Sequence, residues 1–150
     1  MSEEVNSELN QIFNCFHDGY FESEIKHEKN DLLLKINIKY LANLIKPNYE
    51  YFYIKLITSR KIELVIYKEN SRDRINNPED IFKLKPDIFS SVFNEYQVII
   101  KSNINNYINN KSFYAELNIS CENYKLYDQK LNEIDYRNVI ELSEYYWKNK

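Results

Sequence analysis

Most of the chemistry this chain offers is concentrated in six consecutive residues, Cys15-Phe16-His17-Asp18-Gly19-Tyr20. A His-Asp pair of this kind serves metal-dependent phosphohydrolases, where further His and Asp ligands on surrounding helices complete the site. Here the only other histidine is His27, which falls in a strand pattern, so that chemistry is excluded. His17 and His27 sharing a metal with Asp18 or a glutamate is the remaining metal arrangement, and it lacks a clear third ligand. Cys15 and His17 are the one thiol–imidazole proximity. At i, i+2 on a helix they point to different faces, so a catalytic pair would need an unwound backbone. Gly19 is the single glycine of the chain, which rules out both a Gly-x-Ser-x-Gly nucleophile elbow and a glycine-rich phosphate loop. Carboxylates are too numerous for Glu22/Glu24 or Glu63/Glu116 to be assigned acid–base work. No catalytic residue, metal ligand or cofactor is therefore assigned. His17, Asp18 and Gly19 remain as the candidate motif, with His17 read as a structural bridge first and a functional group second.

The motif sits where a helical pattern gives way to a strand pattern. Val5, Leu9, Ile12, Phe13 and Phe16 make one apolar face, predicting a helix over residues 2–16 with Ser2 as its N-cap. Gly19 is expected to end it in the left-handed conformation, with Asp18 accepting turn amides and Phe16 anchoring the helix end. A strand at 20–28 and a cleaner one from 31, with Leu32, Leu34, Ile36 and Ile38 on one face, read as a hairpin around Lys29-Asn30-Asp31. Residues 40–45 read as a helical turn. Strands follow at 50–58 and 62–67, separated by a turn at Ser59-Arg60-Lys61. Residues 69–80 are loop-like. The near-repeat Pro78-Glu79-Asp80-Ile81-Phe82 and Pro86-Asp87-Ile88-Phe89 suggests two short helices capped by Asp80 and Asp87, folded over the sheet. Strands at 95–102, 112–121 and 123–128 precede a closing helix from Asp135 to Lys148. On that helix Tyr146 and Trp147 fall in the predicted buried stripe, and Tyr145 falls outside it as the interface candidate.

The expected fold is α+β: a twisted antiparallel sheet of six to seven strands packed by the N- and C-terminal helices, in one domain over 1–150. A chain of 150 residues buries roughly 68–70% of its unfolded surface without a disulfide or metal. Cys15 and Cys121 match no zinc spacing and read as buried thiols. The 14 tyrosines accompany many Asn, Ile and Lys, a bias of AT-rich coding that lowers the functional weight of the aromatic count. The start is acidic and carries a helical stripe, not a signal peptide, and no apolar run is long enough to span a membrane, so the expected location is cytoplasmic. Residues 1–28 hold seven acids and one base, residues 29–111 nine acids and 14 bases, and the net charge is −3. A surface of two signs suits a protein partner, and the absence of a dominating basic stripe disfavours nucleic acid.

The segment Phe16-His17-Asp18-Gly19, followed by a hairpin, Tyr40-Leu41-Ala42, Ala115-Glu116-Leu117-Asn118-Ile119 and Tyr145-Tyr146-Trp147, resembles a group of small uncharacterised bacterial proteins that open with Phe-His-Asp-Gly or Phe-His-Asp-Ala after a short helix. Some of those look like immunity proteins, so the resemblance implies a toxin of a neighbouring bacterium as partner. The basic middle departs from the acidic type that mimics nucleic acid. The expectation is a non-enzymatic protein that binds another protein, a toxin or itself. The alternative is a small-ligand or metal-binding enzyme centred on His17, Asp18 and His27.

Overall fold

The computed structural model describes residues 3–149. The elements are α1 (Glu3–Cys15), β1 (Tyr20–Glu28), β2 (Asp31–Asn37), α2 (Lys39–Ile45), β3 (Tyr51–Tyr67), β4 (Arg72–Ile75), α3 (Pro78–Lys83), β5 (Ser90–Phe93), β6 (Val98–Ile108), β7 (Lys111–Tyr127), β8 (Glu133–Ile134) and α4 (Tyr136–Lys148). The α+β class holds. The eight strands form one antiparallel sheet in the order β1-β2-β3-β7-β6-β5, with β4 pairing β3 and β8 pairing β7. The predicted Ser2 cap lies outside the described residues.

Strand alternation decides which face is apolar. Leu32, Leu34 and Ile36 of β2 stand level with Leu56, Ile54 and Phe52 of β3, and all six are buried. Leu64, Ile66, Leu117, Ile119 and Cys121 extend this face along β3 and β7. From α1 and the residue after it, Leu9, Ile12, Phe13 and Phe16 pack onto this face, each fully buried. The Phe13 ring lies 5.9 Å from Phe21, and the Phe16 ring 5.1 Å from Phe52. Each fully buried side chain of this kind stabilises the fold by ~1.5–3 kcal/mol. Asp135 caps α4 as expected, accepting the Arg137 N–H at 2.8 Å.

Several local expectations are corrected. Ser59-Arg60-Lys61 is a bulge inside one continuous β3, with the ladder shifting between Ser59 and Lys61. The residues of the neighbouring hairpin turn hold it there. Asp31 Oδ1 accepts the Thr58 N–H at 2.9 Å and the Asn30 carbonyl accepts the Ser59 N–H at 2.8 Å. These bonds keep Thr58 at φ 51°, a costly conformation for a β-branched residue. Likewise, 112–121 and 123–128 are one strand, β7. The expected loop at 69–80 contains β4, which pairs with the second half of β3. Asn77, not Asp80, caps α3, accepting the Asp80 N–H at 3.2 Å.

No helix follows Pro86. Residues 86–89 run as extended backbone between β1 and β6. Phe21 N–H donates to the Pro86 carbonyl and Ile88 N–H to the Gly19 carbonyl, while Asp87 and Phe89 N–H donate to Asn103 and Lys101. One segment thus holds both the first strand and β6, and the sheet curls around its apolar face.

The edge strand β5 is closed by an asparagine stripe on α1. Asn14 Oδ1 accepts the Ser91 N–H at 2.8 Å, and Asn14 Nδ2 donates to the Ser91 carbonyl at 3.2 Å. Ser91 Oγ donates to Asn10, and Asn6 Nδ2 donates to the Asn94 carbonyl at 3.1 Å. The spacing i, i+4, i+8 puts all three amides on one helix face. Asn14 and Asn6 satisfy backbone groups that an exposed edge would leave open, and Asn10 fixes the Ser91 hydroxyl between them.

Candidate functional site

The helix end, α2 and α4 meet around His17. Gly19 does not supply the left-handed residue: that is Asp18, at φ 73°. Asp tolerates this conformation better than most residues. Gly19 is required for space. A Cβ there would lie 2.8 Å from the Asn37 carbonyl oxygen, 3.0 Å from that of Phe16 and 3.1 Å from Ile38 Cβ. The Asp18 carboxylate is exposed, with Oδ2 4.0 Å from His17 Nε2, and does not take up the turn amides.

His17 bridges helices rather than joining helix to sheet. Its Nδ1 lies 2.9 Å from the Asn14 carbonyl oxygen. Its ring stacks on Trp147, with centroids 5.0 Å apart and planes at 23°. Its own carbonyl accepts the Tyr40 hydroxyl at 3.0 Å. Tyr40, Tyr146 and Trp147 pack on one another with centroids 4.5–5.8 Å apart, leaving no cage between them. Burial, then the Asp18 charge, pushes the Tyr40 phenol up to about 12. Trp147 is 41% exposed, against its expected burial: one side of its ring packs on His17 and Tyr40 and the rest faces solvent. Tyr145 is exposed at 58%, as the stripe predicted.

The motif does not converge with the second histidine. His17 precedes β1 and His27 lies at its far end, seven residues beyond Tyr20, a span of roughly 23 Å along a strand. His27 Nε2 instead pairs with Glu79 of α3 at 2.8 Å. A metal shared by His17, Asp18 and His27 is therefore ruled out by distance. Among the described residues no three of His, Cys, Asp and Glu stand close enough to hold a metal ion. Both cysteines are free. Burial raises the Cys15 thiol, against a hydrogen bond with Ser143, and pushes Cys121 up to about 11.

The feature that reading by motif misses is the opposite face of the sheet. The helices that touch strands bury their apolar residues against the inner face, and the outer residues of β2, β3 and β7 face away from them, with Val65, Asn118 and Ser120 in the middle of that outer face buried by their neighbours. Across this open face run Lys26, Leu33, Lys55 and Lys125, level with one another on four adjacent strands. The next row carries Lys35, Tyr53 and Tyr127. Tyr51 packs edge-on against Tyr53 at 5.5 Å, and Lys35 Nζ stands 4.0 Å over the Tyr51 ring. Further along, Tyr67 and Tyr114 both donate to Glu116 at 2.9 Å. At the β5 edge Phe89, Val92, Phe93 and Tyr96 are all exposed. The alternation in the sequence identifies these residues as one face. It does not say that the face stays uncovered.

Compared with known proteins, the chain matches no family model, no curated protein and no solved structure. No helix among the described residues is long and apolar enough to cross a membrane.

Proposed function

We propose that this chain is a non-catalytic protein-binding module, an inhibitor of the immunity type that occupies a toxin, and that it docks through the open face of its sheet. The observation that supports this reading is the composition of that face. A solvated sheet face is ordinarily polar. This one presents Tyr51, Tyr53 and Tyr127 side by side at one end of the long β3–β7 pair and Tyr67 with Tyr114 at the other, with exposed Phe89 and Val92 at the β5 edge. Tyrosine is enriched at protein interfaces because a rigid apolar ring and a polar tip are presented with little rotamer entropy to lose. The expected setting is the cytoplasm, where the free thiols Cys15 and Cys121 remain reduced.

Co-expression with the product of each gene adjacent to its own tests the reading. Rescue of growth from one toxic neighbour, with a complex of the two proteins on size-exclusion chromatography, is the expected result. Absence of both rescue and a complex with every neighbour goes against it.

A further inference from the structure

We infer that a groove on the open face receives an acidic segment of the partner that carries an aliphatic or aromatic side chain as its anchor. This rests on the protein-binding reading above and names the chemistry of one contact within it. The groove has a volume of about 340 Å³ between the β1–β2 hairpin and the loop after β7, with Leu33, Tyr127 and Leu131 as its apolar lining and Lys26, Lys55, Glu28 and Asp31 as its charged lining.

Two features point to this occupant. The first is charge. Lys55 and Lys125 stand directly opposite on β3 and β7, and like charges so placed destabilise a sheet. Asp31 offsets Lys55 at 3.7 Å, and Glu24 takes Lys35 at 3.4 Å. Among the described residues Lys26 and Lys125 have no carboxylate within 4.0 Å, and Glu28 is the one acid of the groove wall without a cation. A partner carboxylate over the row Lys26–Leu33–Lys55–Lys125 would complete pairs that the chain itself leaves open.

The second is Leu131. It is 52% exposed and sits at φ 65°, where a bulky side chain is strained. The buried Asp128 carboxylate holds the loop in this shape, accepting Lys130 N–H at 2.9 Å, Asn132 N–H at 3.0 Å and Asn132 Nδ2 at 3.2 Å. A left-handed position is one that glycine fills at no steric cost. Here it presents a leucine to solvent beside Leu33 and Tyr127, as an apolar wall for an inserted side chain.

The test is a titration of isotope-labelled protein with two ten-residue peptides followed by amide shifts. Both carry the same two leucines, flanked by Asp and Glu in one and by Lys and Arg in the other. The acidic peptide is expected to shift Lys26, Leu33, Lys55, Lys125, Tyr127 and Leu131, and to bind ~5-fold more weakly when salt shortens the Debye length from ~10 to ~5 Å. Lys125→Glu should weaken it ~10-fold at unchanged thermal stability. Leu131→Gly, which relieves the backbone, should weaken it without loss of stability. Equal binding of both peptides, shifts centred on α4, or indifference to both variants overturns the site. If the complex with a toxic neighbour forms all the same, the protein-binding reading stands and this groove is not part of it. If neither complex nor peptide binding is seen, both fall.

Discussion

Replacing Gly19 by Ala separates two reasons for a glycine that sequence cannot tell apart. Were Gly19 the left-handed helix terminator, alanine would cost about 1 kcal/mol through its backbone alone. In the structure the positive φ belongs to Asp18, and Gly19 is confined by backbone: the carbonyl oxygens of Asn37 and Phe16 would lie 2.8 and 3.0 Å from a new Cβ. Neither oxygen can rotate away. The Phe16 carbonyl is held by the Gly19 N–H at 3.0 Å, and Asn37 is the last residue of β2, level with Tyr20. Relief requires moving β1 away from β2 at its first pair, which places the cost at the upper end of the 1–3 kcal/mol range for overpacking, about 2–3 kcal/mol. At roughly 3 °C per kcal/mol for a chain of this size, the midpoint should fall by about 6–9 °C. Asp18→Gly is the companion variant. It should hold stability within about 0.5 kcal/mol or raise it, since glycine accepts φ 73° freely. Urea unfolding with Trp147 fluorescence, and thermal unfolding by circular dichroism, measure both. A Gly19→Ala variant within 0.5 kcal/mol of the parent, or an Asp18→Gly variant that loses more than Gly19→Ala, refutes the packing argument.

Asn14→Ala should cost about 2 kcal/mol, because both edge groups of Ser91 lose their partners, and hydrogen exchange at Ser91 should rise with it. Native Cys121 should resist thiol reagents at mildly alkaline pH by more than about tenfold relative to the urea-unfolded chain, with half-buried Cys15 reacting first, since burial raises both thiols and only the thiolate attacks. On alkaline titration, phenolate absorbance should show a late group containing Tyr40, Tyr107 and Tyr114, each pushed up to about 12. For Tyr107 the Asp73 carboxylate accepting its hydroxyl is the main cause. A raised folded value means the native state holds protons that the unfolded chain, titrating near 10, has released. The contribution is therefore complete below pH 10 and lost as pH rises toward 12, and Tyr107→Phe should flatten that decline. A single tyrosine transition near 10 in the folded protein would contradict it.

The parts of this fold that were legible in sequence are those that local pattern controls. The α1 stripe, the alternation of Leu32 to Ile38, the Asp135 cap and the helical turn at 40–45 follow from periodicity and capping chemistry alone. Polar residues misled where distant partners supplied their bonds. Ser59-Arg60-Lys61 looks like a turn until Asp31 and Asn30 are seen to hold the amides of Thr58 and Ser59 at its start. Pro86 to Phe89 looks like a second capped helix until β1 and β6 are found on either side. The asparagines of α1 were a readable signal at i, i+4, i+8, but their role needs the edge strand they close. At the candidate motif, the uniqueness of Gly19 marked the place and left open whether conformation or space required it. The α4 stripe places Trp147 inward, and it does meet His17 and Tyr40 there, but those rings lie at the surface and leave it 41% exposed. The open face was present as the odd-numbered residues of β2 and β3, yet only register brings Lys55 opposite Lys125 and Tyr53 opposite Tyr127.

Lysine footprinting of the complex with a toxic neighbour tests the central claim most directly. Reductive methylation followed by mass spectrometry reads each ammonium separately, and the chain carries lysines on both sides of the sheet. If the open face docks the partner, Lys26, Lys35, Lys55 and Lys125 become protected, while Lys39, Lys46 and Lys148 on the helical side react as in the free protein. Protection of the helical lysines with the four sheet lysines still fully reactive would place the partner on α2 and α4 and contradict the account.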